Sequence, residues 1–387
     1  MKRTYKYLLR PTKEQAVALD FLLWQARRVY NMALEQRIKI YAEQKNTITS
    51  MDQWAYFRDL RHSEPDNLSK FNALGMNYVL RKLDVTFQNF FRRVKQRKAG
   101  ESIESAGFPR FKSRNRFKSF QYKNGNGCKF RVDENQKRLL HIQNVGEVRM
   151  VFHRPLPADA KIKQVVFKQK IGRWYAYLIL ELPDVIKKHS YPRRKIGIDV
   201  GIKSIVALSN KEVILHPHWL ENSLAKLRVL QRKAARQQKG SKRQSATYKQ
   251  VAKLHEHIAN QRNDFYHKLS KKLSSNFSLI GIEALNLAFM NQSKNLSRTS
   301  YDAGIGGFRS MLLYKAVEAG GRVIAVKPAY TTQMCSRCGY RAKKSLAVRI
   351  HKCPVCGVKL DRDVNAAKNI LKLAKATPSG RDGQALK

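Results

Sequence analysis

Acidic residues are scarce in this chain. It carries 28 Asp and Glu against 77 Lys and Arg, a formal net charge of +49 over 387 residues. That balance excludes an acidic surface. Self-repulsion on this scale destabilises a compact chain unless a polyanion neutralises it. A typical DNA-binding protein neutralises on the order of 6–10 phosphates. An excess of 49 charges goes well beyond that footprint and suggests a large nucleic acid, RNA and DNA together. A basic protein of ribosomal type, whose charge serves only packing against RNA, would show the same imbalance, and charge alone does not separate the two.

Long apolar runs are also missing. No stretch approaches 18 apolar residues, so no membrane partner is expected. Met1-Lys-Arg-Thr-Tyr-Lys-Tyr alternates charged and apolar residues without a signal-peptide core. There are only five cysteines, and four of them fall in close pairs, which argues for a reducing, cytoplasmic or nucleoid-associated setting rather than a disulfide scaffold. Cys128 stands alone and receives no role. Internal repeats are absent. The apolar fraction of 43% is enough for two or three folded domains.

The cysteine pairs carry the strongest local signal. Cys335-Ser-Arg-Cys338 and Cys353-Pro-Val-Cys356 are fourteen residues apart. Each Cys-x-x-Cys turn presents two thiolates to one ion, the pattern of a tetrahedral structural Zn²⁺ ribbon.

Strands and helices can be placed around it. Residues 1–9 read as a strand, and Pro11-Thr12-Lys13-Glu14-Gln15 as a helix start with Thr12 as N-cap. Helical periodicity continues through about 52–62 and 75–98. Arg92, Arg93, Lys95, Arg97 and Lys98 crowd the end of the latter segment, which suits phosphate contact. Residues 99–117 read as a loop. Strand signals dominate from about 118 to 182, with turns at Asn124-Gly125-Asn126-Gly127 and Ile171-Gly172, and predict a barrel-like β domain. Phe108, Phe111, Phe117, Phe120 and Tyr122 interleave with Arg110, Lys112 and other bases, a mixture that fits either base stacking or an ordinary core. Past Arg193, Lys195 to Val200 is a strand with Ile196, Ile198 and Val200 on one face and Asp199 on the other. Ser204–Leu208 is its hairpin partner. Two long helices follow, broken at Lys239-Gly240-Ser241. Arg262 falls on the apolar face of the second and reaches either a phosphate, an active-site acid or solvent. Leu279–Glu283 is a buried-type strand, 286–303 reads as a loop, Phe308–Ala319 as a helix and Val323–Val326 as a strand. A last helix spans about 362–375.

Three acids stand out by position. Asp199 lies in the first of these strands, Glu283 ends a later one, and Asp363 opens the last helix. Strand-Asp, strand-Glu, helix-Asp is the layout of an RNase H-like site. In-line cleavage of a phosphodiester needs one cation to activate water and another to stabilise the leaving oxygen, and clustered carboxylates hold such hard cations, here two Mg²⁺. Gly197 and Gly201 leave room beside Asp199 for close backbone approach. Asp361 sits where an N-cap would be, so Asp363 is the expected ligand. Asn365 either orients Asp363, touches substrate or simply favours the turn.

Gly-Ile-Asp199-Val-Gly-Ile-Lys, Ile-Glu283-Ala-Leu, Thr332-Gln-Met-Cys335-Ser-Arg-Cys338-Gly-Tyr and Asp361-Arg-Asp363-Val-Asn365-Ala-Ala-Lys-Asn-Ile resemble TnpB proteins of bacterial insertion sequences. Leu-Arg10-Pro-Thr-Lys-Glu-Gln15, Arg28-Val-Tyr-Asn31 and Gly107-Phe-Pro-Arg-Phe-Lys112 resemble the same family, so the likeness runs to about residue 375. The resemblance implies an RNA-guided DNA endonuclease of a bacterial or archaeal cell, related to type V CRISPR effectors. It implies a multidomain α/β chain. A wedge-like β-barrel (1–10 and 116–190) would be interrupted by a helical recognition domain (11–115). A RuvC-type nuclease domain (191–329 and 358–376) would carry a zinc-ribbon insert that binds target nucleic acid (330–357), ahead of a disordered tail (377–387). The implied partners are a guide RNA from the transposon end and double-stranded DNA with a short adjacent motif, bound by a monomer with one RNA. Asp199, Glu283 and Asp363 match the catalytic positions, and Cys335, Cys338, Cys353 and Cys356 the zinc ligands. Two other readings stay open. One is an RNA-guided DNA-binding regulator that does not cut, against which the three acids count. The other is a DNA transposase performing strand transfer.

Overall fold

The computed structural model describes residues 2–100, 105–132, 138–183, 188–201, 204–284, 297–342 and 348–377. The chain divides into two compact units, Met1–Asp184 and Val185–Lys387.

The first unit is a closed seven-stranded barrel carrying a helical insertion. Its strands are β1 (Lys2–Arg10), β2 (Ser119–Asn124), β3 (Gly127–Val132), β4 (Arg138–Ile142), β5 (Gly146–Val151), β6 (Lys161–Lys170) and β7 (Arg173–Glu181). β1 closes the ring, pairing antiparallel with β5 through Leu8–Arg10 and with β7 through Lys2–Leu9. The expected tight turn between β6 and β7 is present: Ile171 and Gly172 both adopt positive φ (52° and 74°), the twist that a two-residue hairpin needs.

Three helices lie between β1 and β2: α1 (Lys13–Gln44), α2 (Ser50–Ser63) and α3 (Ala73–Lys98). α1 starts where the Thr12/Gln15 pair predicts, with a full capping box: Thr12 Oγ1 accepts from Gln15 N–H, and Gln15 Oε1 accepts from Thr12 N–H at 3.1 Å. Leu19, Leu22, Ala26, Val29 and Tyr30 of α1 pack with Leu80 and Leu83 of α3 and with barrel residues in one core. Burial of each large aliphatic side chain there contributes about 1.5–3 kcal/mol. Among these apolar contacts the buried Arg37 donates from Nε to Gln53 Oε1 (2.8 Å) and from Nη2 to Asp84 Oδ1 (2.6 Å), tying all three helices together.

Phe117, Phe120 and Tyr122 are buried in this core, so they are not a base-stacking surface. Alternation places Phe120 and Tyr122 on the inner face of β2. Phe108 and Phe111 are exposed.

The second unit is built on a five-stranded mixed sheet in the order β10-β9-β8-β11-β12. Its strands are β8 (Lys195–Asp199), β9 (Ser204–Leu208), β10 (Val213–Leu215), β11 (Leu279–Glu283) and β12 (Arg322–Val326). β8 runs antiparallel to β9 and parallel to β11, which runs parallel to β12. The helices are α4 (Leu224–Arg236), α5 (Lys242–Asn276), α6 (Ser297–Ala303), α7 (Ile305–Glu318) and α8 (Arg362–Ala376). Ile196, Ile198, Val200, Ile280 and Ile282 face one side and pack with α5 and α7. Leu279, Ile324 and Val326 face the other and pack with Ile370 and Ala374 of α8. Helix α6 occupies part of the 286–303 segment expected to be a loop; residues 285–296 lie outside the described residues, as do 378–387 of the expected tail. Among the described residues, no helix is long and apolar enough to cross a membrane.

Candidate active site and metal centre

Asp199 and Glu283 are brought together by strand register. In the parallel pair β8–β11, Gly197 lies opposite Gly281 and Ile198 opposite Ile282, so Asp199 and Glu283 are the next residues along neighbouring strands. Side chains two apart share a face. Both acids therefore project on the same side as Gly197 and Gly281.

That side is covered by α8, and the two glycines set how closely. A Cβ on Gly197 would stand 2.0 Å from Ala367 O, and one on Gly281 2.8 Å from the Ala374 Cβ. The room beside Asp199 thus admits the backbone of α8. Asp363 is one helical turn before Ala367, which seats it beside the two strand acids. Asp361 takes the expected capping role, its Oδ1 accepting from Asp363 N–H (2.8 Å) and Val364 N–H (3.1 Å).

The electrostatics show the three acids interacting. Burial first, then the carboxylates of Glu283 and Asp363, push Asp199 well above the usual carboxylate range, against the opposing pull of Arg362. Burial also raises Glu283, partly offset by a hydrogen bond from the Thr331 hydroxyl. Two arginines stand beside Asp363: Arg362 Nε at 3.3 Å from Oδ1 and Arg349 Nη1 at 3.9 Å from Oδ2. An apolar sheet face that concentrates acids in this way disfavours their ionised forms. Oxygen donors of this kind suit a hard divalent cation, whose charge would relieve the repulsion.

The four cysteines form a second centre. Their sulfurs all lie within 4.8 Å of one another, with Cys335–Cys356 at 3.6 Å and Cys338–Cys353 at 3.5 Å. Zn–S bonds of about 2.3 Å in a tetrahedron give S···S edges of about 3.8 Å, so the set fits one structural zinc. The backbone N–H groups of Cys356 and Val355 lower the Cys353 thiol, towards the thiolate that a metal requires. Hairpin strands β13 (Ile350–Lys352) and β14 (Lys359–Asp361) carry the second cysteine pair and lead directly into α8.

Two asparagines join the centres. Asn365 is buried; its Oδ1 accepts from Ser336 N–H (2.9 Å) and its Nδ2 donates to Met334 O (2.7 Å). Asn369, one turn on, donates to Met334 O (2.7 Å) and Thr331 O (2.8 Å). Asn365 therefore holds the first cysteine loop, a role distinct from orienting Asp363 or touching substrate. Through Asn369 and Thr331, α8 also steadies Glu283. The sequence signal for this device is the i, i+4 pair of asparagines on an otherwise apolar helix face.

The remaining basic residues fall into different places. Arg92, Lys95, Arg97 and Lys98 are exposed on the last turns of α3, and Arg110 is exposed on the loop that follows. Arg93 is partly committed, donating from Nε to Ala106 O at 2.7 Å. Lys112 is held by its backbone, between Asn31 Oδ1 (2.8 Å to its N–H) and Asn31 Nδ2 (3.1 Å to its carbonyl), so the Arg28–Asn31 and Gly107–Lys112 segments meet in space. Arg262 reaches the end of α6, donating to Tyr301 O (2.9 Å) and Asp302 O (3.1 Å) and standing 3.8 Å from the Asp302 carboxylate. Thr331, Arg349 and Asn369 carry site geometry that the sequence reading did not single out.

Residues 306–370 match the family described as "Cas12f1-like, TNB domain", 178–294 the family described as "Probable transposase", and 1–46 one described as "Helix-turn-helix domain". The last segment here folds into β1 and one uninterrupted helix. A Streptomyces pristinaespiralis protein named "Putative RNA-guided DNA endonuclease" is 32% identical over 395 residues, spanning 99% of this chain and 92% of its own. InsQ of Escherichia coli K12, which bears the same description, is 28% identical over 96% of this chain and 92% of its own. Among solved structures, a Cas12f1–sgRNA–target DNA complex superposes with a TM-score of 0.62 at 18% identity, covering 93% of this chain and 83% of that one. A Cas_phi3 endonuclease gives 0.55 at 11% identity over 98% and 93%. The full-length match to the Streptomyces protein, together with the transposase and TNB segments, shows that this chain belongs to the TnpB family of insertion-sequence proteins.

Proposed function

We propose that this chain is an RNA-guided DNA endonuclease of insertion-sequence type, and that Asp199, Glu283 and Asp363 are its catalytic carboxylates in a RuvC-like domain. Full-length relatives named for that activity support the enzyme class. The observation that carries the site assignment is the convergence of the three acids through the β8–β11 register and the close seat of α8 on Gly197, with which the raised Asp199 pKa agrees. Two Mg²⁺ held by these residues would supply water activation and charge stabilisation at the scissile phosphate. The protein's own part is positioning. β8 and β11 fix two acids in register, α8 delivers the third, and Thr331, Asn365 and Asn369 hold the surrounding loop still.

The barrel (1–10 and 116–190) and helical insertion (11–115) serve in this reading as wedge and recognition domains, and 330–357 as a zinc-held loop within the nuclease domain (191–329 and 358–376). A guide RNA from the transposon end and duplex DNA with an adjacent motif are the partners, bound by one protein monomer. Delegating sequence readout to base pairing explains why Lys and Arg are so numerous: the protein grips backbones and heteroduplex shape.

The test is incubation of the purified protein with its copurified RNA and a plasmid library bearing matching targets. Linear product that requires both RNA and Mg²⁺ is expected. Strand-transfer products from DNA alone would replace this reading with a transposase, and tight RNA-dependent binding without any cut would replace it with a regulator.

A further inference from the structure

An uncompensated group of ammonium ions lies in the first unit, none of them among the residues assigned above to catalysis. Lys82 on α3, Lys112 on the loop after it and Lys168 on β6 come from three separate elements; Lys168 stands opposite Ser119, which shares a cleft wall with Lys82, and two residues from Val166 on the same strand face. The Lys82 Nζ stands 5.0 Å from the Phe117 ring centroid and the Lys112 Nζ 5.7 Å from that of Tyr30, while the two rings are themselves 5.8 Å apart. Surrounding protein first, then the ammonium groups of Lys112 and Lys168, hold the Lys82 pKa below the ordinary lysine range, although part of its side chain stays exposed. No carboxylate pairs with any of the three among the described residues.

Lys82 also lines a cleft of about 390 Å³ between α3 and strands β2 and β6. Its other polar walls are Tyr78, Arg81, Ser119 and Gln121, and no acid is among them. Neighbouring like charges without a carboxylate cost stability, and a bound anion would offset that cost. The Asn31 clamp on the Lys112 backbone keeps that residue in place without a ligand.

We propose that Lys82, Lys112 and Lys168 together hold one backbone phosphate of a bound nucleic acid, with the neighbouring cleft receiving the adjoining sugar. The inference rests on the nucleic-acid reading of the chain but not on cleavage. RNA and DNA offer the same phosphodiester, so the experiment carries an arm for each.

The experiment measures affinity of the full chain for a short mixed-sequence RNA and for a short duplex DNA across a salt series. It compares wild type with Lys82→Met, Lys82→Arg and the Lys82→Met/Lys112→Met/Lys168→Met triple variant. Lys82→Met is expected to lower the slope of log K against log salt by about 1 with one of the two ligands. The arm that changes identifies the strand. Lys82→Arg retains the slope. Both methionine variants melt at or above the wild-type temperature, because a repulsion is removed, whereas a merely structural lysine would lower it. Lys82→Met and triple variants that match wild type in affinity and slope with both ligands would overturn the proposal. That result leaves the nuclease reading intact, while a wild-type protein that binds both ligands and never cuts leaves this site standing and removes the nuclease reading.

Discussion

At Asp199, the residue with the most strongly raised pKa in the site, position matters more than identity. The folded protein binds a proton there more tightly than the unfolded chain does, whose carboxylate titrates near 3.9. Stability from this group is therefore full below about pH 4 and is lost as pH rises through the raised folded value. In metal-free protein, Asp199→Asn is expected to gain stability relative to wild type as pH goes up, by about 1.4 kcal/mol for each unit by which the folded value is raised. Thermal melts at several pH values check the sign; a difference that shrinks with pH would mean that the carboxyl is ionised without strain. Mg²⁺ should erase the difference by stabilising wild type alone. Gly197 gives a second prediction. A methyl group there meets Ala367 O at 2.0 Å, so Gly197→Ala should lift α8 from the sheet. Overpacking costs about 1–3 kcal/mol, and cleavage should fall further than stability because Asp363 rides on that helix.

Among elements, α8 does three jobs, and only two of them are legible from its sequence. Its apolar spacing (Val364, Ala367, Ile370, Ala374) and its Asp361 cap predict the helix, which is found at Arg362–Ala376. The asparagine link to the cysteine loop is not legible, because it depends on where the chain returns after a long excursion through the ribbon. The same limit applies to Arg262. Its helix and its face are readable, but its carbonyl partners at 301 and 302 belong to a segment that reads as loop and in part folds as α6. In the first unit, alternation in β2 located Phe120 and Tyr122 but could not say whether the buried face of a basic strand meets core or nucleic acid. Barrel closure decides it. Asn365→Ala should strand the buried Ser336 N–H, while Met334 O keeps its bond from Asn369, costing about 1–3 kcal/mol, and should slow cleavage with all three acids intact. Strong chelation is expected to remove zinc, lower the melting temperature and abolish cleavage, with Zn²⁺ and Mg²⁺ both needed for recovery; Mg²⁺ alone sufficing would show that the ribbon is dispensable for the site.

For the whole molecule, the net charge of +49 is the dominant physical fact. Self-repulsion predicts that the free protein is stabilised by added salt, and more so by a polyanion at equal ionic strength, since Debye screening weakens repulsion while bound phosphates neutralise it. Differential scanning fluorimetry across a salt series, with and without RNA, reads both effects. The division into a barrel-and-helix unit and a sheet-and-ribbon unit could be traced in the sequence through motif order, and the strand-Asp, strand-Glu, helix-Asp arrangement through acid spacing. The close packing of α8 on the sheet of the second unit could not, since it comes from glycines facing a helix distant in sequence.

The central claim is that the carboxylates at 199, 283 and 363 act as one divalent-metal site that hydrolyses DNA. Its most direct measurement is the single-turnover cleavage rate of RNA-loaded protein on matched DNA, for wild type and for Asp199→Asn, Glu283→Gln and Asp363→Asn, each shown to be folded and to bind RNA as wild type does. All three variants are expected to lose cleavage by several orders of magnitude with DNA binding preserved. Near-wild-type cutting by any one of them would contradict the account.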